Sequence, residues 1–374
     1  MTAGPPAGTA TGVKRRAAER GRALTATPAA VRRLRPGVVA VLMTLLALTA
    51  CSPNPARTPA GATAASQPPA GPTNSGPTNS GSTNAGSTTS GPAIAGPSPG
   101  TTQASPTPAD QALIAAGDIA SCDSSGDEAT ARLLDGMPGT VAMLGDSVYP
   151  DGSRSDFARC YATSWGRYKD RTRPAAGNHE YQTAGASGYF GYFGAAAGDP
   201  ARGYYSYDLG AWHVVVVNSN CWAVGGCGTG SPQERWLRAD LAASTKKCTL
   251  AYWHHPLFTS GNQHGPSTVM RPIFATLYNA GAEVVLSGHE HNYERFAPQD
   301  PRGRRDNARG IRAWVVGTGG ASHYGFGNPA PNSEVRNTGT YGVLRLTLHA
   351  GGYDWQFVPQ AGRSFTDRGS ATCH

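Results

Sequence analysis

Thr140-Val141-Ala142-Met143-Leu144 runs directly into Gly145-Asp146-Ser147-Val148-Tyr149, and the reading of this stretch decides the fold. Five apolar or β-branched residues without helical spacing read as a buried strand. The glycine behind them lets the backbone turn sharply, so a carboxylate and a phenol are delivered to the strand's end. Working outward, the same arrangement recurs. Ala112 to Ala116 ends in Gly117-Asp118, and Thr249 to Trp253 ends in His254-His255-Pro256. Glu283 to Leu286 leads into Gly288-His289-Glu290-His291-Asn292-Tyr293-Glu294-Arg295, and a loop carries Gly177-Asn178-His179-Glu180.

Further strands are expected at His213 to Val217, Ala313 to Val316, Tyr341 to Leu348 and Tyr353 to Val358. Helical spacing follows several of them, at Glu128 to Leu134, Pro232 to Ala243 and Val269 to Ala280. Strands interleaved with helices imply an α/β fold whose ligands gather at strand ends. Residues 110–374 are enough for one domain with a sizeable core.

Charge must be read by segment. Residues 1–50 carry eight Lys or Arg against Glu19, and residues 51–109 add only Arg57, which accounts for the whole formal net charge of +8. From Asp110 onward 23 basic and 23 acidic side chains balance. Global basicity therefore supports no nucleic-acid reading, and no nucleic-acid binding is expected.

Arg32, Arg33 and Arg35 precede an apolar run of 13 residues, Val38 to Ala50, that ends Leu48-Thr49-Ala50-Cys51. Such a run is too short to span a hydrocarbon core, which needs roughly 20 helical residues. Residues 1–50 thus resemble a bacterial lipoprotein signal with Cys51 as the lipidated residue, which predicts an exported protein held to the cell membrane and facing outside the cytoplasm. Residues 51–109, with five-residue repeats such as Gly71-Pro72-Thr73-Asn74-Ser75, read as a disordered tether rich in Gly, Pro, Ser and Thr. Its reach is on the order of 40 Å root-mean-square.

Setting Cys51 aside, Cys122, Cys160, Cys221, Cys227, Cys248 and Cys373 form an even set in an oxidising compartment. Six cysteines allow fifteen pairings and the sequence does not choose among them. We favour Cys221 with Cys227 across the Gly225-Gly226 turn, Cys122 with Cys160, and Cys248 with Cys373.

Carboxylates, an amide oxygen, a phenol and imidazoles converging from five strand ends form a donor set for two first-row metals. The order Gly117-Asp118, Gly145-Asp146 with Tyr149, Gly177-Asn178-His179-Glu180, His254 and Gly288-His289-Glu290-His291 resembles the calcineurin-like metallophosphoesterases, and within them the purple acid phosphatases. Two positions depart from the family pattern: Ala120 stands for the last Gly of the first motif and Ala251 for the Val of the fourth. Neither removes a ligand.

The resemblance implies a four-layer α/β/β/α sandwich in a single catalytic domain, residues 110–374. It further implies that Asp118, Tyr149 and His291 hold one metal, that Asn178, His254 and His289 hold the other, and that Asp146 bridges them. Fe(III) with a divalent Fe, Zn or Mn is the implied pair. Three anionic ligands and a hydroxide leave such a pair with about one positive charge, suited to a phosphate dianion. The implied reaction is hydrolysis of a phosphate monoester by a metal-bound hydroxide, as in an acid phosphatase.

His179 and His264 are the candidates for contacting phosphate or protonating the leaving alkoxide. His255 and Arg295 are candidates for substrate contact or for supporting the ligands, and Arg295 with Tyr293 is expected to orient His291. The aromatic residues from Tyr189 to Tyr207 are read as packing rather than a substrate wall. A phosphodiesterase or nucleotidase on the same centre is the second reading. A surface-binding lipoprotein with a structural metal site is a third, from another class.

Overall fold

The computed structural model describes residues 109–374. The expected leader, the Cys51 lipidation site and the tether up to residue 108 lie outside the described residues. Thirteen strands are present among the described residues: β1 (Gln111–Ala116), β2 (Thr140–Leu144), β3 (Thr172–Ala175), β4 (Tyr205–Leu209), β5 (Trp212–Val216), β6 (Cys248–Tyr252), β7 (Val284–Ser287), β8 (Tyr293–Phe296), β9 (Arg312–Val316), β10 (Ser333–Asn337), β11 (Gly342–His349), β12 (Gly352–Pro359) and β13 (Arg368–Thr372). They form a six-stranded sheet in the order β13-β12-β11-β1-β2-β3 and a seven-stranded sheet in the order β10-β8-β9-β7-β6-β5-β4.

The strands that carry the site are parallel: β1 with β2 and β2 with β3 in the first sheet, β5 with β6 and β6 with β7 in the second. Parallel strands end on the same side, so the loops after β1, β2, β3, β6 and β7 meet at one edge of the sandwich. In the second sheet side chains alternate between two cores with the period of a strand. Val214 and Val216 face the core between the sheets, together with Trp212, Leu250 and Trp314. Val215, Val217, Ala251 and Trp253 face outward onto Leu237, Ile273, Phe274 and Leu277.

Those last four residues belong to the helices Pro232–Ala243 and Arg271–Asn279, which cover the outer face of the second sheet. The first of these helices starts where its sequence says it should. Ser231 accepts the N–H of Glu234 at 3.3 Å and Pro232 occupies the first turn, where its missing N–H costs nothing. The helix Gly126–Asp135 packs against β11 on the other side, completing four layers. Among the described residues no helix is long and apolar enough to cross a membrane.

The elements absent from the sequence reading are mostly at sheet margins. β3 contains Pro174 and is an edge strand, where a missing N–H is tolerated. β4, β10 and β13 are also edges, only partly buried and too polar to show an apolar run. The aromatic cluster is packing: Tyr189, Phe190, Phe193 and Tyr204 are buried. The cysteines pair as favoured, Cys122–Cys160, Cys221–Cys227 and Cys248–Cys373, with Cα separations of 5.0, 5.2 and 5.7 Å. The third bond joins the start of β6 to the end of the chain just beyond β13, linking the two sheets.

Candidate metal centre

Three residues of the expected donor set break the usual backbone rule. Asp118, Asp146 and His289 have φ of 60°, 50° and 73°, in the left-handed region that side-chain-bearing residues rarely adopt. Strain of this kind persists where surrounding contacts over-determine the conformation, and it concentrates at functional sites. The preceding glycines do more than turn the chain. A Cβ on Gly145 would stand 2.5 Å from His254 Nδ1, and one on Gly288 would stand 2.6 Å from Asp118 Oδ2. A Cβ on Gly177 would overlap the Asp146 carboxylate. Each glycine is needed because a donor from another loop lies against it.

The donors fall into two groups around one shared oxygen. In the first, the Tyr149 hydroxyl lies 3.1 Å from Asp118 Oδ1, 3.0 Å from His291 Nε2 and 3.2 Å from Asp146 Oδ2. In the second, His254 Nε2 lies 3.1 Å from Asn178 Oδ1, 3.1 Å from His289 Nδ1 and 3.1 Å from Asp146 Oδ2. Asp118, Asp146, His254 and His291 are buried. Each group draws on both sheets: Asp118, Asp146, Tyr149 and Asn178 follow strands of the first, and the three histidines follow strands of the second.

Every buried donor is held from behind. Asp118 Oδ2 accepts the N–H of His289 at 2.8 Å, leaving Oδ1 for the centre. Asp146 Oδ1 accepts the N–H of His179 at 2.9 Å, leaving Oδ2. His254 Nδ1 bonds the carbonyl of Leu144 at 2.9 Å, and His291 Nδ1 that of Ser322 at 2.6 Å, so both rings turn Nε2 inward. Backbone partners of this sort fix ring orientation and tautomer, the arrangement expected behind metal-binding histidines.

The electrostatics show what these donors are suited to hold. Burial works against a charge on His254, yet the adjacent Asp146 carboxylate outweighs it and lifts the imidazole to about 9. Burial pushes the Tyr149 phenol well up, and the charges of Asp118 and Asp146 add to the shift. Burial and then the charge of His254 hold His255 down at about 3, and His289 is depressed in the same way. Buried anions and crowded imidazoles facing one another form a donor set that cations between them would satisfy. A bound cation reverses the local pKa logic. Hard oxygens in the first group and more nitrogen in the second fit two transition-metal ions.

The remaining sequence candidates separate clearly. His179 sits at the rim with its ring centroid 4.3 Å from that of Tyr149, and its Nδ1 meets the carbonyl of Pro150. His264 is exposed and stacks on His289 at 4.1 Å. His255 hydrogen-bonds Ser219 Oγ at 2.8 Å and packs 4.3 Å from His289. Arg295 corrects the reading of the motif's tail. Its Nε pairs with Asp367 at 2.7 Å and its guanidinium also meets Glu334, while the Tyr293 hydroxyl donates to Asp367 at 2.8 Å. Neither residue orients His291, whose Nδ1 is taken by Ser322. The motif ends on a strand, β8, from which Tyr293 and Arg295 both reach Asp367 instead.

No local sequence pattern announces a role for Glu180 or Glu290. Glu180 is buried and accepts the N–H groups of Asp146, Ser147 and Gly177 at 3.0, 2.7 and 2.6 Å, tying the loops after β2 and β3 together. A cleft of about 400 Å³ opens beside the donors, lined by Tyr149, His179, His291, Tyr324 and Tyr341. A larger hollow of about 550 Å³, between the helices Pro232–Ala243 and Arg271–Asn279, holds none of the donor residues.

Comparison with known proteins agrees with this geometry. Residues 112–293 match the family described as calcineurin-like phosphoesterase. A stretch of 102 residues is 38% identical to purple acid phosphatase 22 of Arabidopsis thaliana, covering 25% of this chain and 22% of that protein. Another of 156 residues is 31% identical to purple acid phosphatase 21 of the same plant, covering 39% and 34%. The chain thus spans well under half the length of these curated relatives. Purple acid phosphatase PPD1 from yellow lupin (Lupinus luteus) seeds superposes with a TM-score of 0.56 over 71% of this chain and 54% of its own, at 18% identity, a likeness of fold. With the five motifs in order and two sheets of matching architecture, residues 112–293 carry a calcineurin-like phosphoesterase match, and the chain resembles the purple acid phosphatases.

Proposed function

We propose that this chain is a dimetal phosphomonoesterase of the acid phosphatase type. One observation carries the reading: two groups of donors share the single oxygen Asp146 Oδ2, at 3.2 Å from Tyr149 and 3.1 Å from His254. Asp118, Tyr149 and His291 would hold one ion, here assigned as Fe(III). Asn178, His254 and His289 would hold a divalent Fe, Zn or Mn ion, with Asp146 common to both. When bound, such a pair supplies an activated water and neutralises charge on the phosphoryl group.

The chain's own groups do the rest. His264, exposed over His289, reaches into the space above the second group and is placed to bind phosphate or give a proton to the departing oxygen. His179 at the opposite rim is placed for a phosphate contact. His255 is partly buried and held by Ser219, which suits it to supporting His289. A nucleophilic side chain is not required by this arrangement.

The test is hydrolysis by the metal-loaded chain of aryl and alkyl phosphate monoesters against the matching diesters. Faster monoester turnover is expected. Turnover of diesters alone would make the chain a phosphodiesterase, and no turnover with the metals in place would favour a binding lipoprotein. Export and anchoring belong to the same proposal: Cys51→Ser should abolish detergent partitioning and lipoprotein-type processing, and processing at another residue would refute it.

A further inference from the structure

Between the ligand candidates His289 and His291 stands Glu290, fully buried. Burying a carboxylate is costly unless it is paired or hydrogen-bonded, so its position needs a use. Both of its oxygens lie against the loop that follows β6. Oε1 accepts two consecutive backbone N–H groups, those of His264 and Gly265, each at 2.7 Å. Consecutive N–H groups converging on one anion make a nest, and bonds to an ionised acceptor are the stronger kind. Oε2 has no hydrogen-bond partner among the described residues. It lies against Gly261, where a Cβ would overlap the Glu290 carboxyl group. Gly261 has an ordinary backbone, so the glycine here serves space and not conformation.

The loop is therefore wrapped around this carboxylate and held at two points. At its start, Glu294 accepts the N–H of Ser260 at 2.7 Å and lies 3.4 Å from the hydroxyl of Thr259. At its tip, Glu290 holds the backbone of His264. The His264 ring stacks on His289 at 4.1 Å with 28° between planes and lies 5.6 Å from Tyr324. An exposed imidazole on a loop would sample many positions, and this one is fixed through its own N–H. The anchor is the residue next to the ligand against which the ring rests.

We propose that Glu290 is a positioning residue that sets the register of the His264 imidazole against the metal centre, through the backbone of His264 and Gly265. The inference rests on the phosphatase reading for its effect on rate, and on geometry alone for the clamp. It assigns leaving-group protonation to a histidine whose placement depends on a carboxylate that touches neither substrate nor metal.

Three variants of the full chain test it. Glu290→Met keeps the length but removes the acceptor. Glu290→Gln retains an acceptor oxygen for both N–H groups. Gly261→Ala pushes the carboxyl group aside without altering the motif. Amide exchange over residues 262–267 should quicken in Glu290→Met and Gly261→Ala and be restored in Glu290→Gln. All three should keep the wild-type metal content. For the first two, kcat should fall about tenfold or more further on an alkyl phosphate than on an aryl phosphate, with KM little changed, since aryl leaving groups need less protonation. Unchanged exchange in Glu290→Met, metal loss in that variant alone, or equal losses on both esters would overturn the proposal. If the wild type hydrolyses neither ester, the phosphatase reading fails, and the exchange result alone decides whether the clamp exists.

Discussion

The N–H of His179 donates to Asp146 Oδ1 at 2.9 Å, and this contact determines which oxygen of the carboxylate faces the other donors. Oδ2 alone is left to serve both groups. Asparagine at this position removes the shared charge and must give up either the contact with His179 or the shared oxygen. Asp146→Asn should therefore lose metal and activity together. Metal analysis should show binding weakened by more than about 10²-fold, beyond what loss of a supporting residue causes. A variant that keeps both metals but not activity would count against the shared-oxygen assignment.

Tyr149 supplies the phenol of the first group, raised by burial and by the charges of Asp118 and Asp146, so that a strongly charged cation would be needed to ionise it. The purified protein should hold about two metals per chain, at least one of them iron, and be violet to pink. Tyr149→Phe should bleach the visible band. Stoichiometric zinc or manganese with no band in the wild type would remove iron from the assignment.

His264 is not one of the donors and, among the described residues, meets them only through its stack on His289. His264→Ala should keep metal content and colour while kcat/KM falls by about 10²-fold or more, the scale of a lost positioned proton donor. The loss should be larger for alkyl than for aryl esters. Equal losses would make the residue a phosphate contact, and no loss would make the loop structural.

Far from the centre, Glu283 precedes β7, buried beside the chain's last residue. Its Oε1 accepts the N–H of His374 at 3.0 Å and its Oε2 lies 2.5 Å from His374 Nδ1. Burial pushes the carboxyl group up to about 7, against the hydrogen bond from His374 and the charge of Lys247. Between its ordinary value of 4.5 and about 7, the folded chain binds more protons here than the unfolded chain. This contribution to stability is complete below the lower value and is lost as pH rises through the upper one. Glu283→Gln cannot ionise, so its Tm relative to wild type should rise between pH 5 and pH 8, by roughly 2–4 °C per kcal/mol of linkage. A Tm difference independent of pH would refute the buried-acid reading.

What the sequence disclosed follows from distance along the chain. Asp118, Asp146, His254 and His289 each lie within two or three residues of a strand end, so strand and donor could be read together. The supports could not. Glu290 meets His264 across 26 residues and Glu180 meets Asp146 across 34, and no local pattern announces either pairing. The role of Arg295 is not legible because its partner, Asp367, lies 72 residues away on a segment with no apolar signature. The core strands were legible from their apolar runs, whereas β4, β10 and β13 gain their form only from the neighbours they pair with.

Asp118, Asp146, Tyr149 and Asn178 all lie before the exposed turn Gly228-Thr229-Gly230, and His254, His289 and His291 all lie after it. A chain cut at that turn would leave neither fragment with a complete set of donors, since the first would have no imidazole of the centre and the second no carboxylate. Ions bound there would be a clasp between the two pieces. A nicked protein would stay assembled while loaded and come apart more readily on chelation, so the metals would serve as a seam of the tertiary structure as well as its reactive centre.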